Sequence, residues 1–208
     1  VRLIRSLLPS RPRWAELDDR ELLAALARNE EAALEELVAR KTQPLLSMVS
    51  RMVHDLEEAR DVVQVTFLRL WEHRDRYDPK WAPNTWIYRI ASNLAIDHLR
   101  SRRTRQDSEE PLTVHLRQVG GDGEMPRTLD RLQHREIDEI FRELSQELGE
   151  KQRQAFILRE IEGLESDEVA EILGCRPSTV RNHVFSARRA LQQALSERYP
   201  EYLPEVSR

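Results

Sequence analysis

Apolar residues recur along this chain with helical spacing, and no segment of any length alternates with the period of a strand. Asp18 and Asp19 stand where an N-cap belongs, ahead of Leu22, Leu23 and Leu26. Asn29 breaks that pattern, and Ala33, Leu34, Leu37 and Val38 carry a second helix. Pro44 is expected to interrupt it or to start a third, which holds Leu45, Leu46, Val49, Met52 and Val53. Asp55 opens the most regular stretch, through Ala59, Val62, Val63, Thr66, Phe67, Leu70 and Trp71. Asp78, Pro79 and Pro83 mark a loop. Thr85 is placed to cap a helix reaching about Arg105, with Trp86, Ile90, Leu94 and Leu99 on its apolar side.

Periodicity stops at Gln106. Up to about Arg127 the chain is polar and turn-rich, with Asp107, Glu109, Glu110, Pro111, Gly120, Gly121, Gly123 and Pro126. Helical spacing then resumes with Leu129, Leu132, Ile137, Ile140, Phe141 and Leu144. It continues through Phe156 to Ile161, breaks at Gly163 and resumes twice more. The expected fold is all-α: two small helical domains joined by a flexible linker. The boundaries expected are a basic tail at 1–17, a first domain at 18–105, a linker at 106–128, a second domain at 129–198 and a tail at 199–208.

Composition narrows the possibilities. The 208 residues carry a formal net charge of −4, yet the cations are gathered into two local runs. Two basic faces on an acidic chain point to two contacts with one polyanion. The single cysteine, Cys175, excludes an internal disulfide and a multi-cysteine zinc site, and fits a reducing compartment. It reads as a small apolar filler rather than a redox group. No apolar run approaches the ~20 residues of a membrane span. The N-terminal run with Arg2, Arg5, Arg11 and Arg13 is too short and broken for a secretion signal. A start at Val1 rather than Met points to a trimmed or alternative start.

The second basic run, Ser166–Leu191, has the layout of a helix-turn-helix. Ser166 is placed to cap its first helix, with Asp167 and Glu168 at the positive end of the dipole. Ala170 is small enough for a close helix crossing, and Gly174 falls at the turn, where a left-handed backbone is cheap for glycine. Pro177 or Ser178 begins the second helix, whose inner positions are Val180, Val184 and Leu191. No acidic residue lies between Gly174 and Glu197. Arg181, Asn182, His183, Arg188 and Arg189 offer donors for base edges or phosphates. Ser178 and Thr179 can hold phosphate at the helix N-terminus, and Phe185 can meet a thymine methyl.

The first run differs in kind. This segment mixes Trp81, Trp86 and Tyr88 with Arg89, Arg100, Arg102, Arg103 and Arg105. Aromatic rings among cations suit unpaired bases, which stack while their phosphates meet arginine. Trp86 is itself expected to pack in the core.

The stretches Asp61–Trp71 and Thr85–Asp97 resemble domain two of the extracytoplasmic-function (ECF) sigma factors of bacterial RNA polymerase. Gln152–Gly163 and the helix-turn-helix after it resemble their domain four. The resemblance covers about Asp18 to Leu195, in the family's order. It implies that Asp61, Gln64, Arg69 and Trp71 lie near the contact with core polymerase, while Val63, Phe67 and Leu70 are mainly core. It implies that Trp81, Asn84 and Thr85 line a pocket for a flipped base of the −10 promoter element. Arg89, Asn93, His98, Arg100 and Arg103 would follow the strand. The −35 element would be read by the second helix of the motif, with Arg159 on backbone phosphate nearby.

The implied protein is a non-catalytic, cytoplasmic initiation factor with no cofactor and no small-molecule substrate. Its partners would be core polymerase, promoter DNA (duplex at −35, melted at −10) and an anti-sigma factor. The chain departs from the family pattern at Val65, Gly149, Glu165-Ser166 and Arg176-Pro177-Ser178, and Asn182, His183 and Ser186 occupy positions that vary with promoter choice. The alternative reading is a stand-alone helix-turn-helix regulator, which leaves the Trp/Arg run without a task. A nucleic-acid enzyme would need clustered carboxylates, whereas Asp55, Glu57, Glu58 and Asp61 spread over a helix surface.

Overall fold

A computed structural model describes residues 14–108 and 129–202. The side chains of 105–108 and 129–135 lie outside that description, as do the first 13 residues of the expected basic tail, most of the expected linker and the last six residues. Among the described residues every regular element is helical. The first group contains α1 (Asp19–Ala27), α2 (Glu31–Val53), α3 (Leu56–Glu72) and α4 (Pro83–Ser108). The second contains α5 (Leu129–Leu144), α6 (Glu150–Phe156), α7 (Ser166–Leu173) and α8 (Pro177–Arg198).

Local chemistry sets the ends of these helices. Asp18 accepts from the Glu21 amide at 2.8 Å, and Glu21 returns a bond to the Asp18 amide at 2.8 Å. This reciprocal box satisfies two amide donors at the start of α1. Asp55 caps α3 by accepting from the Glu58 amide at 2.9 Å. Gly174 closes α7 in the left-handed region at φ 61°, the conformation expected of the turn glycine. His54 closes α2 at φ 64°, which is uncommon for a side chain that size.

Three sequence expectations are corrected. Pro44 neither breaks nor starts a helix, and α2 runs through it for 23 residues. Proline costs about 3 kcal/mol inside a helix. Pro44 faces solvent, while Leu37, Leu45, Met48, Val49 and Met52 on the other side are wholly buried, and their packing outweighs that cost. Thr85 is not a cap: α4 begins two residues earlier at Pro83, a position where the missing amide costs nothing. Ser166 is the first residue of α7 rather than its cap, and Glu165 precedes it in extended geometry.

The buried side of α4 is also wider than expected. Ile87, Tyr88, Ala91, Ser92, Ala95 and Ile96 are buried, while Trp86, Ile90, Leu94 and Leu99 are half-buried against the same core. The reason is that α4 is covered twice, by α2 and α3 on one side and by α7 on the other. One contiguous apolar cluster therefore runs from Leu22 through Ile87 to Leu158, Val169 and Val184. The two helical groups sit against each other, with α4 between them.

Candidate nucleic-acid interface

Trp81 and the basic groups of α4 lie toward one surface. Tyr88, expected to stack on bases, is instead buried and Trp86 is half-buried against the core, because α7 and α2 cover that side of α4. Tyr77 and Trp86 rings meet at 5.3 Å, tilted by 53°, and the Tyr77 hydroxyl donates to the Trp81 carbonyl at 3.0 Å. These contacts fix the loop that presents Trp81, over which Lys80 Nζ lies 5.7 Å from the ring centre. Asn84 accepts from Lys41 Nζ at 2.7 Å. Along the helix, His98 Nε2 and Arg102 each approach Glu58 Oε2 at 3.1 Å, and Arg100 lies 3.7 Å from Asp97. Asn93 is exposed beside Arg89.

Three of the expected DNA-reading groups are already engaged by the second helical group. Thr85 is buried and its hydroxyl donates to Glu168 on α7. Arg89 pairs with Glu171 of the same helix at 3.0 Å. Arg103 pairs with Glu150 at the start of α6 at 3.2 Å. Glu168 has a second task, because its other oxygen accepts from the Glu165 amide at 2.8 Å and closes the N-terminus of α7. Behind this row, Arg51 on α2 binds Asp138 at 2.8 Å and lies 3.5 Å from Glu162. Burial raises the Glu162 carboxyl against the pull of Arg51 and Tyr88, and burial followed by Glu162 raises the Tyr88 hydroxyl.

Helix α8 is arranged differently. Pro177 stands at its first position, and Val180, Val184 and Ala187 are buried against α6 and α7. At 3.6 residues per turn, Ser178, Arg181, Asn182, Phe185, Arg188 and Arg189 then share an outward arc of about 120°. Thr179 and His183 flank that arc and are half-buried. Phe185 is 68% exposed, a large apolar ring presented to water. Arg188 pairs with Glu160, and Arg159 lies 3.7 Å from Glu165. Arg181 and Asn182 are exposed and make no hydrogen bond or ion pair with any described residue.

A third surface lies between α2 and α3. Leu34, Val38, Phe67, Leu68 and Trp71 line an apolar groove of about 520 Å³ rimmed by Glu31, Glu35 and Gln64. Of the residues expected near polymerase, Gln64 and Trp71 line it. Arg69 is exposed and pairs with Glu72 at 2.8 Å, and Asp61 is exposed on the same helix. Leu68, 57% exposed, and Val65, 38% exposed, widen this apolar face.

Two family descriptions match the chain: Sigma-70 region 2 over residues 37–105 and Sigma-70, region 4 over residues 138–191. The chain is 32% identical over 180 residues to the RNA polymerase sigma-H factor of Pseudomonas aeruginosa, covering 85% of this chain and 93% of that one. The chain belongs to the ECF sigma factors. It is 30% identical over 179 residues to the ECF RNA polymerase sigma-E factor of Escherichia coli strain K12, with the same 85% and 93% coverage. As a sigma factor it directs transcription initiation.

Two solved structures share the fold. One is CnrH in complex with the cytosolic domain of CnrY (TM-score 0.62, 24% identity, 86% of this chain and 98% of that one). The other is RpoE in complex with the anti-sigma factor NepR from Bartonella quintana (TM-score 0.59, 24% identity, 78% and 96%).

The sigma factor's α7 carboxylates are what sequence reasoning missed. Glu168 is expected only as a favourable charge at a helix N-terminus, and Glu171 is not singled out. One signal was available: Glu168 and Glu171 are acidic residues three apart on one helix, and Thr85 and Arg89 are four apart on another. Among the described residues no group of three His, Cys, Asp or Glu could hold a metal ion. No described helix is long and apolar enough to cross a membrane.

Proposed function

We propose that this sigma factor reads its promoter with two surfaces of unequal readiness. Residues 18–105 form the −10 domain and 129–198 the −35 domain, joined by 106–128 and flanked by tails at 1–17 and 199–208. Trp81, Asn84 and Thr85 hold a flipped base, and Arg89, Asn93, His98, Arg100 and Arg103 follow the melted strand. Ser178, Thr179, Arg181, Asn182, His183, Phe185 and Arg188 read the −35 duplex, with Arg159 on its backbone. The groove beside Gln64 and Trp71, with Asp61 and Arg69 on the same helix, takes core polymerase.

The observation that carries this reading is the pairing of Thr85 with Glu168 and of Arg89 with Glu171. A carboxylate occupies the place a phosphate or base acceptor would take, so the −10 surface works only after α7 leaves α4. Polymerase, which binds both domains, supplies that separation. Once α7 has moved, capture of unpaired bases drives melting. Stacking contributes about 1–3 kcal/mol per base, comparable with the stacking lost per step. An anti-sigma factor is a partner, as it is for the RpoE structure that shares this fold. The factor has no catalysis of its own, needs no cofactor and acts in the cytoplasm.

Run-off transcription with core polymerase and genomic promoter fragments tests the reading. Initiation that depends on the added chain is expected on a small promoter set. Failure on every fragment would remove it, and tight duplex binding by the chain alone without initiation would favour a stand-alone regulator.

A further inference from the structure

A cavity of about 340 Å³ opens where the end of α2, the far end of α4 and the start of the second helical group meet. Its lining is unusual for an interdomain gap. Arg102 and Arg103 reach it from α4, Arg153 from α6 and His54 from the end of α2, with Gln146 at the rim. Two of the arginines have carboxylate partners: Arg102 lies 3.1 Å from Glu58 and Arg103 lies 3.2 Å from Glu150. Arg153 has none. It is only 9% exposed, and among the described residues no acceptor reaches its Nε. Glu150 is the nearest candidate, but one of its oxygens serves Arg103 and the other accepts from Gln154 at 3.4 Å.

A buried guanidinium with no carboxylate at ion-pair distance is costly, and Glu150 offsets that cost only from farther away. Burial pushes Arg153 below the usual arginine range. Among the described residues neither ring nitrogen of His54 has a partner at full hydrogen-bond geometry. Burial and then Arg153, Arg142 and Arg102 push its imidazole down to about 4, and only the Arg142 backbone lies near enough to raise its pKa. Arg153 and His54 thus face the cavity unsatisfied among the described residues, beside two arginines that each hold one carboxylate, and an anion with several oxygens suits all four.

We propose that this cavity is a binding site for a phosphate-type oxyanion, held by Arg153 and Arg103 with Arg102 and His54 beside them. Arginine forks suit phosphate because they offer paired donors in a fixed plane. The site draws on both helical groups, so its occupant ties α4 to α6 and favours the arrangement in which α7 covers the −10 surface. The oxyanion has two possible sources, a soluble phosphate compound and a backbone phosphate of DNA.

Titration of the full chain with sodium pyrophosphate, at constant ionic strength, tests the site by calorimetry and by thermal unfolding. Saturable binding and a saturable rise in Tm are expected. Arg153→Gln should weaken binding roughly 10- to 100-fold, the value of a hydrogen-bonded charge. Gln146→Glu, at an exposed rim position, should weaken it similarly by repelling the anion, and it leaves the buried guanidinium intact. A fluorescent single-stranded oligonucleotide separates the two sources: weaker oligonucleotide binding by Arg153→Gln assigns the site to backbone phosphate, and equal or tighter binding by that variant assigns it to a soluble compound that favours closure. The proposal is overturned if pyrophosphate stabilises the chain no more than sodium chloride does, or if Gln146→Glu binds it as tightly as the parent.

Discussion

Helices α4 and α8 both carry arginine toward nucleic acid, but α8 keeps its central pair, Arg181 and Asn182, open while α4 has its counterparts engaged. The side chains of Arg181 and Asn182 stand in solvent without partners among the described residues, and Phe185 is 68% exposed beside them. On α4, Thr85, Arg89 and Arg103 each end on a carboxylate of the second helical group. The difference is one of cost. Duplex DNA meets Arg181 and Asn182 by displacing water, and only Arg188 has a carboxylate, Glu160, to release. A melted strand meets α4 only by displacing Glu168, Glu171 and Glu150 as well, together with the apolar contact between α4 and α7. A surface with the right chemistry can therefore be held closed by its own chain while its sister surface stays open.

The sharpest way to break this comparison is a reciprocal pair of substitutions read on two probes. Trp81→Ala should weaken binding of a −10 single strand in the polymerase-bound state by about 5- to 150-fold, the worth of one stacked base. It should leave −35 duplex binding unchanged. Arg181→Ala should do the reverse, with a loss in the same range on the duplex if it contacts a base edge. Electrophoretic mobility shifts with both probes check each variant, and loss on both probes from either substitution would merge the two surfaces into one.

A smaller effect tests the closure itself. Glu168→Gln with Glu171→Gln keeps shape and removes both charges facing Thr85 and Arg89. Pairs as exposed as Arg89 and Glu171 are worth roughly 0.2–1 kcal/mol each. The double variant should therefore tighten −10 strand binding by the free chain by roughly 2- to 30-fold, measured by fluorescence anisotropy, with no change on the −35 duplex. An unchanged −10 affinity would mean that the carboxylates do not hold the surface shut.

The smallest effect is on pH dependence. His54 is held near 4 by burial and by arginines of both helical groups, below its ordinary value of about 6.5. The unfolded chain thus binds a proton that the folded chain refuses. The stability from this group is complete above about 6.5 and is lost as pH falls toward 4. Glu162 runs the other way: its carboxyl is raised by burial, so its contribution is present below the unfolded pKa and lost as pH rises through the folded one. The difference between parent and variant isolates His54. His54→Asn, which tolerates the left-handed backbone, should flatten the denaturant-measured slope between pH 6.5 and 4 by about 1 kcal/mol after allowing for residual exposure. An identical slope in the variant would mean that His54 is hydrated.

Much of this fold is written locally. The cap at Asp18, the helix opened by Asp55 and the turn glycine at 174 follow from residue type and spacing, and the structure places each as expected, with Glu21 completing a box at Asp18 that was not foreseen. So do Val180 and Val184, turned inward on α8. Pro44 misled because its local penalty is overridden by a core face spanning Leu37 to Met52, which only packing reveals. The second buried side of α4 was hidden for the same reason: it exists because α7, some 80 residues later, lies on it. The partners of Thr85 and Arg89 are long-range pairs, and no period or cap signal in the sequence encodes them. Arg153 shows the limit most clearly, since as a sequence it reads as a surface charge on a helix and in the fold it is buried between two domains.

The measurement that bears most directly on the unequal readiness of the two surfaces is the distance between the helical groups as each DNA is added. Fluorophores on Arg28→Cys and Ser196→Cys, in a chain carrying Cys175→Ser, report that distance by energy transfer. Transfer should fall when a −10 single strand binds, and it should hold steady when a −35 duplex binds. Saturating the −10 strand with no change in transfer would show that α4 reads DNA while α7 still covers it, and the account would be wrong.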